Sequence, residues 1–365
     1  MTFNSAFETF AARLREFIRS SLLEPPSGQA EAPFNNLSLQ LFALHFEHNS
    51  PYRSFCRARG VSPAHIHDWR DIPALPTAAL KEFEVTCLLP EERTTEFHSS
   101  GTTQHRPSRN FHSPASLRIY EKSLWPWFAR HCGENSTELL IVTPPPREAP
   151  HSSLVHMFET IRRAVGEGDE AYVARAADGG WTLAPEPALE RLGYCASTGQ
   201  PLLLLGTAFM FVHLLDYMHV KHVRLQLPPG SRLLETGGYK GRSRSLPKAE
   251  LHRLLTTRLG VPAEYIVCEY GMSELSSQAY DRVAGEPGPG HFCFPPWCRV
   301  QVVSPETRRE VDEGETGLLR LWDLANVASV LALQTEDLAI RRDCGFELLG
   351  RAAVADPRGC SLMAV

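Results

Sequence analysis

Between residues 139 and 271 the chain alternates between apolar runs of strand length and segments of helical spacing, which restricts its possible folds more than any other feature. LLIVT (139–143), PLLLLGT (201–207), RLLETGG (232–238) and AEYIVCEYG (263–271) are the strand-like runs. Between them lie helical patterns at His151–Val165, PALERLGYCAS (187–197), the stretch through His219, and PKAELHRLLTTRLG (247–260). In the last of these Pro247 suits a first helical turn and Gly260 the residue just past the end. EAYVAR (170–175) and GWTL (180–183) add short strands. Alternation of this kind predicts a mostly parallel sheet with helices on both faces.

The pattern changes on either side. Phe3, Phe7, Phe10, Leu14, Phe17 and Ile18 recur at helical spacing, so the chain opens with an amphipathic helix. A Pro- and Gly-rich loop (24–33) separates it from a second helix around 36–48. After GEPGPGHFCFPPW (285–297) the helices stop. RVQVVS, TGLLRLWDL, VLALQTEDLAIRR and GFELLG read as short antiparallel strands of a small barrel or distorted sheet. The expected organisation is an α/β body over 1–296, a β-rich subdomain over 297–350 and a short tail, 351–365.

Composition narrows the function. A formal charge of −5 over 365 residues offers no global attraction for nucleic acid or an anionic membrane. The opening MTFNSAFETFAARLREF carries acids and no continuous apolar core, unlike a signal peptide. PLLLLGTAFMFVHLLDYM is interrupted by Gly206, Thr207 and His213, and reads as a buried strand and helix, not a membrane span. Nine cysteines contain no CxxC pair, so reduced thiols in a cytoplasmic protein are expected, most of them small buried hydrophobes.

The chemistry concentrates in FHSSGTTQHRPSR (97–109), where Ser99, Ser100, Thr102 and Thr103 surround Gly101. Clustered hydroxyl and backbone donors suit a polyphosphate, yet the run fits neither common nucleotide-loop pattern. ETGGYKGR (235–242), CEYGMSE (268–274), QTEDLAIRR (334–342) and Gly350-Arg351 follow in that order. Singly, a Gly-Gly is usually a turn, and Ser-Glu after a strand a helix cap.

Together, in this order, they resemble the motifs of the adenylate-forming enzymes: acyl-CoA synthetases, luciferases and peptide-synthetase adenylation domains. The family loop SSGTTGxPKG stands here as SSGTTQHRPSR, YGxTE as YGMSE and TGD as TED. The resemblance implies the family's N-terminal-type domain, of parallel sheets with flanking helices, followed by the small antiparallel β subdomain. It also implies ATP and Mg²⁺ as cofactors. A carboxylate attacks the α-phosphorus of ATP, and the protein positions groups and stabilises charge.

Carried over, Ser99, Ser100, Gly101, Thr102 and Thr103 hold the outer phosphates. Glu274 is the Mg²⁺ ligand and Ser273 binds the α-phosphate. Gly237, Gly238 and Tyr239 lie against the base, Tyr270 offers adenine a stacking face, and Gly271 and Met272 complete the nucleotide-binding motif. Asp337 and Arg351 contact the ribose. Two departures stand out in the loop: Gln104 replaces the family glycine and the loop lysine is missing. Arg106 or Arg109 could supply that charge, or both could be solvated loop residues. His151 and His156 lie where the family carries an aromatic or histidine at the acyl pocket mouth, or pack on a helix. Phe209, Met210 and Phe211 point to an apolar acyl tail, or to plain core.

Only 14 residues follow Arg351, against roughly a hundred in ordinary members, so the mobile C-terminal domain is expected to be absent or vestigial. A short chain with RGCSL near its end resembles one subfamily, the LuxE-type acyl-protein synthetases. These are the synthetase component of the fatty-acid reductase complex of bacterial bioluminescence. The resemblance implies that Cys360 accepts the acyl group and passes it to an acyl-accepting reductase or a carrier protein. A phenylacetate-type CoA ligase, or a non-catalytic adenylation-fold subunit of a reductase complex, are the alternatives. Cys360 follows Arg351 by nine positions, and nine residues extend about 30 Å. Pro357 and Gly359 permit a turn, and Arg358 favours the thiolate.

Overall fold

Leu202–Leu205 is buried on both sides, as a central parallel strand must be. The computed structural model describes residues 3–23, 31–99, 106–134, 138–177, 180–238, 244–288 and 290–352. Helices α1 (Phe3–Leu23), α2 (Glu31–His48) and α3 (Ser50–Arg57) lead to β1 (Leu75–Pro76) and α4 (Ala79–Glu82). The antiparallel pair β2 (Thr95–His98) and β3 (Arg109–His112) precedes α5 (Pro114–Cys132). Then come β4 (Glu138–Ile141), α6 (Ser153–Val165), the paired β5 (Ala174–Ala177) and β6 (Gly180–Leu183), and α7 (Pro185–Thr198). They are followed by β7 (Leu202–Thr207), α8 (Ala208–Val220), β8 (Arg232–Thr236), α9 (Lys248–Leu259) and β9 (Ile266–Tyr270). The chain continues through β10 (Ala279–Tyr280), β11 (Cys298–Val303), β12 (Thr316–Asp323), β13 (Ala332–Arg342) and β14 (Gly345–Arg351).

The alternating segment forms one sheet, ordered β10-β9-β8-β7-β4, in which β4, β7, β8 and β9 run parallel and β10 antiparallel. Its crossovers are helical, as parallel neighbours require. The terminal strands form a second sheet, β11-β12-β13 antiparallel, with β14 on the far end of β13. The near end of β13 pairs in parallel with β1, so Leu75 and Pro76 extend a sheet otherwise made after residue 297. The second helix begins at Glu31, ahead of the expected 36, because Pro33 falls in its first turn, where a missing N–H costs nothing.

The core does not divide where the sequence pattern changes. One apolar cluster runs from α1 and α2 through the second sheet, and another lies under α7, α8 and α9. Trp69 meets Trp322 edge to face at 4.7 Å. Asn49 donates to the Ser329 carbonyl at 3.0 Å. The His45 ring accepts from the Leu331 N–H at 3.1 Å and reaches the Val327 carbonyl at 3.3 Å. Burial lowers its pKa to about 4, so the ring is neutral and serves as donor and acceptor at once. No helix among the described residues is long and apolar enough to cross a membrane.

The two sheets are joined by Asp323 at the end of β12. Its buried carboxylate accepts from the Ser276, Ser277 and Ala325 N–H groups and from the Ser277 hydroxyl, at 2.7–2.9 Å. Asp323→Ala leaves three backbone donors buried and unpaired, a loss of about 3 kcal/mol or more. Urea denaturation checks this, with an unchanged midpoint counting against the role.

Candidate active site

The carboxyl ends of parallel strands gather loops and unpaired N–H groups, and ligands of open α/β sheets bind there. Here the ends of β7, β8 and β9 open into a cleft of about 520 Å³. Thr207, Thr236, Gly237 and Gly238 form its floor, and Gly271, Met272, Ser273 and Glu274 continue it beyond β9. His98, Ser99 and His151 line it from the β2 and α6 side, and Arg351 from the end of β14. Residues from six separate stretches of the chain thus meet at one cavity. Gly237 has φ +68°, a left-handed turn that suits glycine. A Cβ on Gly271 would stand 2.2 Å from Glu269 Oε1, so any larger residue there would shift the Glu269 carboxylate.

Glu274 is buried, and both carboxylate oxygens face hydroxyl groups. Ser108 Oγ donates to Oε1 at 2.5 Å and Ser273 Oγ to Oε2 at 3.0 Å. Asn326 Nδ2 holds the Glu274 carbonyl at 2.9 Å, fixing the backbone beneath it. No cation pairs with this carboxylate among the described residues. Ser108 also exchanges bonds with Ser99: its N–H donates to Ser99 Oγ at 2.9 Å and its carbonyl accepts from the Ser99 N–H at 3.2 Å. Both ends of the hydroxyl-rich run therefore stand beside Glu274. Ser108 is not among the residues the family resemblance singles out, although it stands in the hydroxyl-rich run and continues its pattern. Ser100, Gly101, Thr102, Thr103, Tyr239 and Cys360 lie outside the described residues.

Arg351, which reaches the cleft, and Asp337 behind it are direct cross-strand partners on β14 and β13. Arg351 Nε stands 3.6 Å from Asp337 Oδ1, and Tyr270 donates its hydroxyl to Asp337 Oδ2 at 2.7 Å. The Tyr270 ring packs among Phe292, Phe294 and Phe346, with centroids 5.1–6.0 Å away, and is not among the cleft-lining residues. What it presents here is its hydroxyl, not an open stacking face.

The structure separates several of the open alternatives. His151 lines the cleft, stacked on His98 at 4.3 Å, while His98 Nε2 meets Glu96 Oε1 at 2.8 Å. His156 packs against Phe97 and Tyr120 and faces Glu121 at 3.4 Å, away from the cavity. Arg109 is paired with Glu84 at 2.5 Å and Glu96 at 3.8 Å, so its charge is already engaged. Phe209 lines the cleft beside Trp181, whereas Met210 and Phe211 are core.

Glu269, which drew no attention in the sequence, also lines the cleft. Burial pushes its carboxyl up to about 7, even though the Thr236 hydroxyl donates to it. On the reverse face of the same strands, Glu235, His252 and Cys268 form a buried polar cluster, with Glu235 Oε2 reached by His252 at 3.2 Å and Cys268 at 3.1 Å.

Residues 186–364 match the family model described as acyl-protein synthetase, LuxE. The chain is 23% identical over 343 residues to the long-chain-fatty-acid–luciferin-component ligase of Vibrio harveyi, covering 88% of this chain and 84% of that protein. The ligase of the same description from Aliivibrio fischeri is 21% identical over 345 residues, covering 90% and 86%. Among solved structures, 2-hydroxyisobutyryl-CoA ligase in the postadenylation state with 2-HIB-AMP has a TM-score of 0.63 at 14% identity, over 89% of this chain and 68% of that one. Its open conformation with 2-HIB-AMP and CoA gives 0.60, over 90% and 74%. Over residues 186–364 the chain is similar to the LuxE-type acyl-protein synthetases, over most of its length it is similar to two ligases, and it has the fold of the adenylate-forming enzymes.

Proposed function

We propose that the chain activates a carboxylic acid of the fatty-acid class with ATP, forming acyl-AMP and pyrophosphate, and then transfers the acyl group to the thiol of Cys360. The observation that carries this reading is the convergence on one cleft of the Ser99–Ser108–Glu274 cluster, the Gly237-Gly238 turn and Arg351 beside Asp337. A nucleotide spanning these groups has its phosphates near Glu274 and its ribose near Asp337 and Arg351.

The carboxylate oxygen of the acid bonds to the α-phosphorus while the bond to the bridging oxygen of the β-phosphate breaks, and that electron pair leaves with pyrophosphate. Ser273 donates to the α-phosphate, and the hydroxyl-rich run to the departing phosphates. Glu274 fits a hard divalent cation: a buried carboxylate, set in place by two hydroxyls, with no cationic side chain among the described residues paired to it. Mg²⁺ bound there would neutralise phosphate charge. In the second half-reaction the Cys360 thiolate attacks the acyl carbonyl, the C–O bond to AMP breaks, and AMP leaves with the electron pair. The thioester then passes to the cysteine of a partner reductase or to a carrier protein. Such a cycle needs reduced thiols, which fits a cytoplasmic setting. Phe209 and Trp181 give the acyl tail an apolar wall.

Two outcomes test this reading, and a third prediction concerns the cleft-lining carboxyl of Glu269. Glu274→Ala is expected to abolish carboxylate-dependent pyrophosphate release while circular dichroism stays unchanged; wild-type release would remove Glu274 from the mechanism. Cys360→Ser is expected to make acyl-AMP from labelled acid and ATP, yet to retain no hydroxylamine-labile label on protein. Label mapping to another cysteine, or transfer to free coenzyme A instead, would overturn the acyl-cysteine step.

The third concerns pH. Because the folded-state pKa of Glu269 is raised, its contribution to stability is fully present below about pH 4.5 and is lost as pH rises through about 7. Glu269→Gln abolishes that loss, gaining on the wild type by up to about 3 kcal/mol between pH 5 and 8 at 1.36 kcal/mol per unit. Denaturation at both pH values measures it, and an equal gap at each would refute the buried-carboxyl account.

A further inference from the structure

His291 and Cys293 precede β11, and Cys344 sits in the turn between β13 and β14. None of the three lines the cleft. The Cys293 and Cys344 sulfurs approach to 3.0 Å, and the Cys344 sulfur lies 3.5 Å from His291 Nε2. All three donor atoms fall within 4.8 Å of one another, the spacing of ligands around a single ion. Cys344 is exposed and Cys293 half-buried, so these are not the enclosed apolar surroundings of an inert packed cysteine. The sulfurs are also too far apart to be bonded, since a disulfide closes at about 2.0 Å.

The backbone is built for this meeting. Phe292 and Phe346 exchange two hydrogen bonds, 2.7 and 3.1 Å, and their rings stack at 5.5 Å. This pins the residues on either side of Phe292 to the hairpin turn. A Cβ on Gly345 would stand 2.0 Å from the Phe292 carbonyl oxygen and 3.2 Å from the Cys293 sulfur. Only glycine lets the turn come so close.

We propose that His291, Cys293 and Cys344 bind one divalent metal ion of the zinc class, with a fourth position left to water. Two thiolates and an imidazole are the donor set such an ion prefers, and the two negative charges balance its own. The ion ties the β13–β14 hairpin, which carries Asp337 and Arg351, to the segment that leads into β11. Its role is structural, and it holds those two side chains in register at the cleft edge. The buried Glu235–His252–Cys268 cluster is a poorer candidate, because the Lys248 ammonium lies beside it and its donors already satisfy one another.

The test uses the full chain, stripped with a chelator under reducing conditions and then dialysed against Zn²⁺ or Co²⁺. Mass-spectrometric metal analysis is expected to find one zinc per chain. The cobalt form is expected to show sulfur-to-metal charge-transfer absorption in the near ultraviolet. Cys344→Ser and Cys293→Ser should each lose that absorption and the bound zinc. His291→Asn should keep the absorption but bind on the order of tenfold more weakly or worse. Cys344 is exposed at a turn, so its replacement leaves the fold intact, which circular dichroism verifies. Zinc retained in full by the Cys344→Ser protein would place the ion elsewhere, at the Glu235 cluster or another thiol, and overturn the proposal. So would a wild-type chain that binds none, or one purified with Cys293 and Cys344 already joined as a disulfide.

Discussion

A buried carboxylate has to be satisfied or it unfolds its surroundings, and Asp323 is satisfied by donors from both halves of the molecule. Burial pushes its pKa up, while hydrogen bonds from the Ser277 hydroxyl and the Ala325, Ser276 and Ser277 N–H groups oppose that push. The Ser276 and Ser277 donors belong to the turn that follows Glu274; Asp323 itself ends β12. One side chain therefore locks the turn bearing the candidate metal ligand against the sheet bearing Asp337 and Arg351.

A second link runs through Tyr270. Its ring is buried among three phenylalanines of the second sheet and its approach, and its hydroxyl ends on Asp337. The same residue thus ends β9 of the first sheet and orients an acid on β13 of the second. Burial pushes the Asp337 carboxyl up and the Tyr270 hydrogen bond pulls it back, leaving a carboxylate set for one geometry. Arg351 opposite it is mostly exposed and reaches the cleft.

The missing loop lysine acquires a physical setting from the structure. Arg109, one of two candidates to replace it, is drawn away by Glu84 and Glu96. What stands at the cleft instead is the stacked pair His98 and His151, with Glu96 behind His98. Arg106 is exposed at the other end of the run, beside Ser108 and its bond to Glu274. Imidazole and guanidinium groups differ from lysine in reach and in hydrogen-bond geometry.

Much was legible before any coordinates. The two periodicities, strand and helix, marked nearly every element from β4 to β14, because backbone geometry dictates which positions face a core. The motif order from the hydroxyl-rich run to Gly350-Arg351 named the fold and most of the cleft, because residue chemistry at strand ends is local information. Pairing across long stretches of chain is not local. The Ser108–Glu274 bond joins positions 166 apart, and β1 enters a sheet formed some 250 residues later through Leu75 and Leu333. Nor does periodicity tell which of two histidines five positions apart faces a cavity; only packing separated His151, ahead of α6, from His156 within it. The near-neutral pKa of Glu269 and the meeting of Cys293 with Cys344 are likewise products of burial and of a close glycine turn. The sequence by itself determined which chemistry was present and in what order; tertiary structure decided which groups desolvate, pair and face one another, because those depend on distances that no spacing along the chain records.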